Sequence, residues 1–318
     1  MKAQNTKTAA GPQRWTPPDL KGKVAVVAGA SRGAGRGVAL ALGDTGATVY
    51  VAGRTTREGW KPPDGAPGTI EDTAEEITRR GGRGIPVRTD CGVAAEVAAL
   101  FERVEREQKR MDALAVASWG GDQRDWNRRK PFWEYPEPGW EGPMMAGAFA
   151  HLMCSVHAAR MMARQESGLI ACVTEIEHEE YGGGASLFWL YQGLGHRSIN
   201  RMVRKMSADL KKCGVAIVAL APGFMRTERV MMTFANMAPE EAEKAKKAYG
   251  FDNSESTEYV GRAFASLAAD PKALRKTGKF VTVGDLAREY GFTDVDGTAP
   301  NMYRDVLKID PEAIELNK

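Results

Sequence analysis

The apolar residues of this chain fall into short runs rich in valine and alanine, which alternate with segments of helical periodicity. The first run, KVAVVAGA at 23–30, is apolar along nearly its whole length, as expected of a strand buried on both faces. Strands that alternate with helices require crossover connections between them. The pattern therefore predicts an α/β fold with a doubly wound parallel sheet of the Rossmann type.

The remaining elements follow from the same alternation. Further strands are predicted at 47–54, 83–90, 112–118, 168–174 and 279–286, with another in the second half of 188–223. Helices are predicted from the end of the first strand to Gly46, over 69–82, 94–108 and 149–165, and in the first half of 188–223.

Several segments stand outside this alternation. Residues 1–19 are polar and lack the apolar core of a signal peptide, so we expect a mobile N-terminal arm before a single domain at 20–318. Residues 57–68 are rich in Gly and Pro and predict a surface loop. Residues 119–140 form an insertion that holds four of the seven tryptophans. The charged, helical segment 227–257 is expected to form a C-terminal flap over one end of the sheet.

Composition and charge exclude several classes of protein. The net charge of +3 over 318 residues is too small to indicate a surface that binds nucleic acid or membrane. No apolar run approaches the roughly 18 residues that a membrane span needs. The four histidines lack ligand spacing, so we predict no metal site, and the four cysteines form no CxxC pair. We therefore expect a cytoplasmic protein with free thiols.

A glycine-rich loop, AGASRGAG at 28–35, lies between the first predicted strand and the first predicted helix. Glycines allow the backbone to approach a diphosphate closely, and a helix N-terminus attracts its negative charge. A glycine-rich string alone is a weak signal, but the strand before it and the helix after it supply the structural context that it requires. The loop therefore predicts a dinucleotide-binding site.

The end of the second strand indicates which dinucleotide is bound. Arg54 lies 19 residues after Gly35, in the region where an acidic residue would bind the ribose 2′-hydroxyl of NAD. An arginine instead suits the 2′-phosphate of NADP. Arg32, inside the glycine loop, offers a second guanidinium. We therefore expect NADP(H) as the cofactor.

Taken together, these motifs resemble those of the short-chain dehydrogenase/reductase family. AGASRGAG is similar to the family's TGxxxGxG loop, RTDCG at 88–92 to the segment whose aspartate contacts adenine, and APGFMRTE at 221–228 to its PGxxxT motif. The segment 283–300 is similar to the C-terminal part of a subgroup of mammalian dehydrogenase/reductases. The resemblance covers roughly residues 20–305. It implies a small-molecule substrate and a homodimer or homotetramer.

The resemblance also implies which residues contact the cofactor. Asp90 would contact the adenine, and Thr227 would face the nicotinamide amide and the phosphate. The expected cofactor contacts are Gly29, Ser31, Arg32, Gly33, Gly35, Arg54, Asp90, Cys91, Ser118, His196, Pro222, Gly223 and Thr227.

The family's catalytic residues are replaced in this sequence. Family members use a tyrosine as general acid, a lysine that lowers the tyrosine pKa, a serine that steadies the substrate oxygen and an asparagine that supports a proton relay. Counting back from Gly214 places Gln192 at the tyrosine and His196 at the lysine. The family's serine lies at the end of the strand that corresponds to 168–174, and in this chain that strand continues as Glu175. The asparagine place falls near Gly147. The resemblance therefore implies an atypical active site.

The substituted residues offer different chemistry from the family's. Gln192 and His196 are four residues apart and so share one face of a helix. A glutamine amide cannot protonate an alkoxide. His196 could form hydrogen bonds to the ribose hydroxyls, act as an acid or base, or be inert. A carboxylate such as Glu175 would raise the pKa of His196 and orient its ring. Tyr191 is the other candidate for the acid position, and the sequence leaves the choice between it and Gln192 open.

Three functions are compatible with this site. We favour an NADP(H)-dependent oxidoreductase that acts on a carbonyl, alcohol or activated double bond. The aromatic side chains of 119–140 would then line a pocket for an apolar or ring-containing substrate, or they cover the core or a subunit interface instead. The alternatives are a lyase, isomerase or hydratase that uses His196 as acid or base, and a nucleotide-binding protein without catalysis.

Overall fold

This computed structural model describes residues 15–120, 131–134, 140–175, 187–248 and 250–310. Within these residues seven strands form one parallel sheet. The strands are β1 (Val24–Ala28), β2 (Thr48–Gly53), β3 (Arg83–Arg88), β4 (Ala113–Val116), β5 (Gly168–Val173), β6 (Val215–Ala221) and β7 (Phe280–Thr282). The predicted α/β fold with a parallel sheet is confirmed.

The helices cover both faces of the sheet. In the described parts of the chain the α-helices are α1 (Gly33–Asp44), α2 (Ile70–Arg79), α3 (Ala94–Gln108), α4 (Ala150–Gln165), α5 (Leu187–Lys212), α6 (Glu228–Ala235), α7 (Pro239–Ala248), α8 (Thr257–Ala269) and α9 (Val283–Tyr290). A π-helical segment at Gly142–Phe149 leads into α4. No helix among these combines the length and the apolar character that crossing a membrane requires.

The strand order creates a crevice next to the glycine loop. The order is β3-β2-β1-β4-β5-β6-β7, so the chain builds outward from β1 to one edge and then continues on the other side of β1 from β4 onward. Ala28 at the end of β1 pairs with Val116 at the end of β4. Ligands of doubly wound sheets bind outside the carboxyl ends of the strands at such a reversal.

The continuous apolar runs of the sequence are strands covered by helices on both sides. Neighbouring residues of β1 belong to two different hydrophobic clusters. Val27 belongs to a cluster with Leu40 of α1 and Phe264 of α8. Val26 belongs to a second cluster, which includes Ile199 of α5. Because both faces of the strand are buried, the alternation of polar and apolar residues typical of a half-exposed strand is absent from this run.

Helices α1 and α8 approach each other backbone to backbone. A Cβ at Gly37 would lie 1.7 Å from the carbonyl oxygen of Thr257, and a Cβ at Gly261 would lie 2.2 Å from the carbonyl oxygen of Gly37. Only glycine fits at these separations. The contact therefore fixes α1, and with it the glycine loop at its N-terminus.

Two boundaries differ from the sequence prediction. The strand predicted at 279–286 is confined to β7, because the Thr282 hydroxyl accepts a hydrogen bond of 3.2 Å from the Asp285 amide and thereby caps α9. The apolar residues Val283 and Leu286 continue as a helix face instead. The helix predicted at 149–165 begins earlier along the chain, as the π-helical segment.

The two predicted surface segments have the expected local structure. The segment 227–257 contains α6 and α7 and returns to its starting point, where the Arg226 amide donates a 2.8 Å hydrogen bond to the Glu255 carbonyl. The Gly- and Pro-rich loop at 57–68 contains neither helix nor strand. Both segments border the crevice, through contacts described below.

Candidate functional site

The glycine loop packs backbone against backbone at the reversal of strand order. Gly29 has a φ of +83°, and a Cβ there would lie 2.6 Å from the Ser118 amide nitrogen. A Cβ at Gly35 would lie 2.2 Å from the Gly29 carbonyl oxygen. Ser31 between them is buried. The first amides of α1 have no partner within the helix, so the loop fits the diphosphate of a dinucleotide.

The turn after β6 places Thr227 over this loop. A Cβ at Gly33 would lie 3.8 Å from the Thr227 methyl group, and the Thr227 hydroxyl caps α6. Gly223 packs against the C-terminal segment, since a Cβ there would lie 2.7 Å from Cβ of Met302. Pro222 and Gly223 therefore shape the turn, whereas Thr227 faces the glycine loop.

Arg54 and Asp90 meet at the carboxyl ends of β2 and β3. Nη1 of Arg54 lies 3.7 Å from Oδ2 of Asp90, and the guanidinium covers the Trp60 ring at 4.4 Å. The Arg54 side chain is 35% exposed, so part of it faces solvent. Cys91 is buried in the hydrophobic core, which leaves its backbone rather than its thiol for contact with a nucleotide.

Arg32, the second expected guanidinium, is engaged by the Gly- and Pro-rich loop. Its Nη2 donates hydrogen bonds of 3.1 Å to the Thr55 hydroxyl and 2.9 Å to the Gly68 carbonyl. Its Nε donates a hydrogen bond of 2.9 Å to the Pro67 carbonyl. Arg32 therefore holds this loop against the start of α1, and Arg54 is the better placed of the two to meet a 2′-phosphate.

An indole contacts both of the residues that the sequence count puts at the family's tyrosine and lysine places. The Trp119 ring stacks on the His196 ring, with centroids 4.1 Å apart and planes inclined by 6°. Its Nε1 donates a 2.8 Å hydrogen bond to Oε1 of Gln192. One side chain therefore fixes both residues, and it sets the orientation of the glutamine amide.

Two glycines make room for the Trp119 indole. A Cβ at Gly147 would lie 2.9 Å from Cζ3 of Trp119, and a Cβ at Gly195 would lie 2.8 Å from its Cη2. The sequence count puts the family's asparagine place near Gly147. A side chain at position 147 would therefore collide with the ring.

The ring nitrogens of His196 contact residues at the end of β5. Nδ1 lies 3.3 Å from the Glu175 amide and 3.1 Å from the Thr174 hydroxyl, and Nε2 lies 3.3 Å from Oε1 of Glu175. Because an amide can only donate, Nδ1 is the acceptor, and a neutral ring carries its proton on Nε2. A neutral ring therefore carries its N–H group on the nitrogen that lies 3.3 Å from the Glu175 carboxyl.

Burial moves the pKa values of this pair in opposite directions. It lowers the pKa of His196 to about 3, with the nearby His151 adding to the effect, and it raises the pKa of Glu175 to about 7. The side chains are 12% and 32% exposed, respectively, so water still reaches the carboxyl and moderates the rise of its pKa. The expectation that a carboxylate would raise the His196 pKa is wrong. Desolvation outweighs the attraction of an acid that is itself largely uncharged below pH 7.

Tyr191 lies on the neighbouring face of α5. Its ring meets the Trp140 ring edge to face, with centroids 6.1 Å apart. Gln192 lies on the side of the helix that carries His196, where it is buried and accepts a hydrogen bond from Trp119. Of the two candidates that the sequence leaves open, Gln192 is therefore the one that stands beside the His196 ring.

The sequence reasoning does not single out His151 as a contributor to this cluster, whereas Trp119 begins the aromatic insertion that was expected beside the crevice. Trp119 directly follows Ser118, just beyond the end of β4 and beside the crevice. His151 is buried, with Nδ1 2.9 Å from the Gly147 carbonyl oxygen and Nε2 3.2 Å from the Val173 carbonyl oxygen. It thereby ties the start of α4 to the end of β5.

The tryptophan-rich insertion contributes to the site only in part. Trp119 lies within the cluster, and Trp133 and Trp140 are exposed. Trp126 falls outside the described residues. Across the residues that the structure does describe, no group of three or more His, Cys, Asp or Glu side chains is placed to hold a metal ion.

Comparisons with known proteins identify the family. The short chain dehydrogenase family model matches residues 23–238. The chain is 38% identical over 281 residues to Dehydrogenase/reductase SDR family member 1 of Mus musculus and 36% identical over 284 residues to the Homo sapiens protein of that name. Each alignment covers 87% of this chain and 85% of the relative.

A solved structure supports the same fold. A short chain dehydrogenase of Mycobacterium thermoresistibile superposes with a TM-score of 0.70 at 19% identity, covering 94% of this chain and 98% of that one. At this identity the likeness concerns the fold, whereas the family match and the two relatives identify the family. The chain therefore belongs to the short-chain dehydrogenase/reductase family of oxidoreductases, whose members bind a nicotinamide cofactor.

Proposed function

We propose that this protein is an NADP(H)-dependent oxidoreductase that acts on a carbonyl, alcohol or activated double bond. Its acid and base is Glu175, a residue at a different position from the family's catalytic tyrosine. The observation that carries the proposal is the pairing of Glu175 with His196, in which Nε2 lies 3.3 Å from the carboxyl oxygen. A carboxyl group held at the end of β5 stands at the carboxyl edge of the sheet, where it can exchange a proton with a bound substrate.

The proposed reaction needs one hydride and one proton. The nicotinamide supplies or accepts the hydride when it is bound. In reduction, protonated Glu175 donates its O–H proton to the substrate oxygen as negative charge develops there. The carboxylate that results accepts a hydrogen bond from Nε2–H of His196, which stabilises it. In oxidation, the same carboxylate removes the hydroxyl proton of the alcohol.

The residues around the pair position it without exchanging protons. Thr174 and the Glu175 amide face Nδ1 of the imidazole and keep the ring proton on Nε2. Gln192 accepts a hydrogen bond from Trp119 and cannot serve as an acid. Asn200 donates a 3.0 Å hydrogen bond from Nδ2 to the Glu175 carbonyl and so holds the backbone that carries the acid.

The rate of substrate reduction is expected to fall as the pH rises above 7. Reduction requires protonated Glu175, whose pKa burial raises to about 7. The rate should stay level below that pH and fall about tenfold per pH unit above it, while alcohol oxidation should show the opposite trend. Initial rates of NADPH oxidation measured from about pH 5 to about pH 9 test this dependence. A level profile through pH 7 would count against Glu175 as the acid.

The preference for NADP(H) is proposed from Arg54. Replacing Arg54 with alanine should weaken NADPH binding about 10- to 100-fold, because one charge-assisted contact to the 2′-phosphate is lost. NADH binding should change by less than about twofold, since NADH lacks that phosphate. Titrations followed by quenching of tryptophan fluorescence give both dissociation constants.

NADH is the internal control for this experiment. Arg79→Ala, on the exposed face of α2, removes the same charge at a distance from the crevice and serves as the matched variant. If the unmodified protein binds NADPH and NADH with equal affinity, the proposed preference for NADP(H) is wrong. Loss of NADH binding in Arg54→Ala would assign Arg54 a structural role instead.

A substrate with an apolar or ring-shaped body is proposed from the side chains near the catalytic pair. Trp119 stacks on His196, and Trp140 meets Tyr191 edge to face. Met145, in the π-helical segment between Trp140 and α4, is exposed. Such surfaces favour flat or apolar groups over highly charged ones.

One observation favours a reaction without hydride transfer. Trp119 contacts Gln192 and His196. The sequence count puts these residues at the tyrosine and lysine places, and the family's lysine holds the nicotinamide ribose. A lyase, isomerase or hydratase could use the same Glu175–His196 pair. Turnover without net change in nicotinamide absorbance would support this second function, whereas oxidation of one NADPH per product supports the oxidoreductase.

A further inference from the structure

A carboxylate from a distant part of the chain lies on the glycine loop. Oε2 of Glu228 accepts a 2.7 Å hydrogen bond from the Gly33 amide, although the two residues are 195 positions apart. Glu228 is the first residue of α6, and Thr227 before it also faces Gly33. The N-termini of α1 and α6 therefore meet at the loop.

This contact occupies a position suited to phosphate. The Gly33 amide is the first of α1 and has no partner within the helix, and the helix dipole makes that end attractive to negative charge. The first turn of α1 contains no acidic residue, and Arg32 at its N-cap provides no side-chain cap. Glu228 therefore supplies the anionic partner that a diphosphate would supply in a dinucleotide-binding loop.

A second contact holds α6 in the same place. Nε of Arg229 lies 2.5 Å from Oδ2 of Asp64, and both side chains are largely shielded from solvent. Asp64 belongs to the Gly- and Pro-rich loop, which Arg32 holds against the start of α1. Two neighbouring residues of α6 are therefore tied to two segments that border the diphosphate position.

We propose that Glu228 competes with the cofactor diphosphate for the N-terminus of α1, so that cofactor binding displaces the start of α6. This inference rests on the proposed binding of NADP(H). Glu228 lowers the affinity for the nucleotide, because it stabilises the state in which its own carboxylate is bound to the Gly33 amide. Because α6 begins the segment 227–257, its displacement couples the cofactor side of the crevice to that segment.

Binding of NADPH to Glu228→Gln tests the competition. The variant loses the charge but keeps a neutral acceptor, so its dissociation constant should be about five- to tenfold lower than that of the unmodified protein. Inorganic pyrophosphate, which carries the diphosphate alone, should gain affinity by a similar factor. Glu241→Gln is the matched control, because it removes the same charge from the first turn of the exposed start of α7. Melting curves establish that both variants are folded.

The outcomes separate this inference from the proposed function. Tighter binding of both probes by Glu228→Gln alone supports the competition. Equal NADPH affinity in Glu228→Gln and the unmodified protein overturns the competition and leaves the proposed function intact. Equal gains in Glu228→Gln and Glu241→Gln overturn it as well, since they indicate a general effect of charge. If no folded protein binds NADPH or NADH, the proposed function and the competition are both wrong.

Discussion

Replacing Glu175 with glutamine is expected to lower the turnover of the enzyme about 10²–10⁴-fold, the usual effect of losing a positioned general acid. The amide has nearly the same shape and still presents an oxygen to Nε2 of His196, so the cluster should stay folded. It cannot deliver a proton to the substrate oxygen. Steady-state NADPH oxidation at saturating substrate measures the loss, and NADPH binding should change by less than about twofold.

The matched control for this variant is Glu141→Gln, which makes the same chemical change at an exposed residue before the π-helical segment. Its turnover should equal that of the unmodified protein. If Glu175→Gln retains full turnover, Glu175 is not the acid. Equal losses of turnover and NADPH affinity would indicate a structural role for the carboxyl group.

Replacing Gly37 with alanine is expected to lower the free energy of unfolding by about 3 kcal/mol or more. The added Cβ would lie 1.7 Å from the Thr257 carbonyl oxygen, which belongs to the backbone and cannot turn aside as a flexible side chain would. Helices α1 and α8 must separate to admit it, and α1 carries the glycine loop. The melting midpoint and the urea midpoint measure the change.

The comparison variant is Gly291→Ala, which adds the same methyl group at the end of α9. Gly291 has a φ of +74°, and a Cβ there meets no atom within 4 Å. Only the left-handed backbone is strained, at about 1–2 kcal/mol. If Gly37→Ala is no more destabilising than Gly291→Ala, the close contact between α1 and α8 is wrong.

The fold could be predicted largely from local sequence. The run at 23–30 is apolar on both faces, and this pattern is typical of a strand covered by helices on two sides. The prediction was wrong where an apolar run crossed a capping residue. Val283 and Leu286 are compatible with either a strand or a helix. They are helical because the Thr282 hydroxyl accepts a hydrogen bond from the Asp285 amide and caps the first turn of α9.

The pairing of residues at the site was also within reach of sequence reasoning. A spacing of four places Gln192 and His196 on one face of a helix, and the end of β5 brings Glu175 to the crevice. The direction in which the His196 pKa shifts could not be predicted from the sequence, because it depends on how completely the ring is buried. A sequence shows that an acid follows the strand but does not show whether water reaches it.

Side-chain contacts between segments that are distant in the chain could not be predicted from the sequence. Trp119 stacks on a residue 77 positions later in the chain, and that contact requires glycine at both Gly147 and Gly195. Arg32 is expected to meet the cofactor, and its Nε and Nη2 also donate to carbonyl groups of the Gly- and Pro-rich loop. Such side-chain partners depend on tertiary packing, which no local pattern encodes.

The claim that Glu175 supplies the proton is tested most directly by titrating its carboxyl group. NMR spectra of protein containing isotope-labelled glutamate, with Glu175→Gln used to assign the resonance, give its pKa without any substrate. We expect a pKa of about 7, above the 4.5 of an unperturbed glutamate. A midpoint near 4.5 would show a carboxylate that is fully ionised at neutral pH, and it would contradict the proposed role.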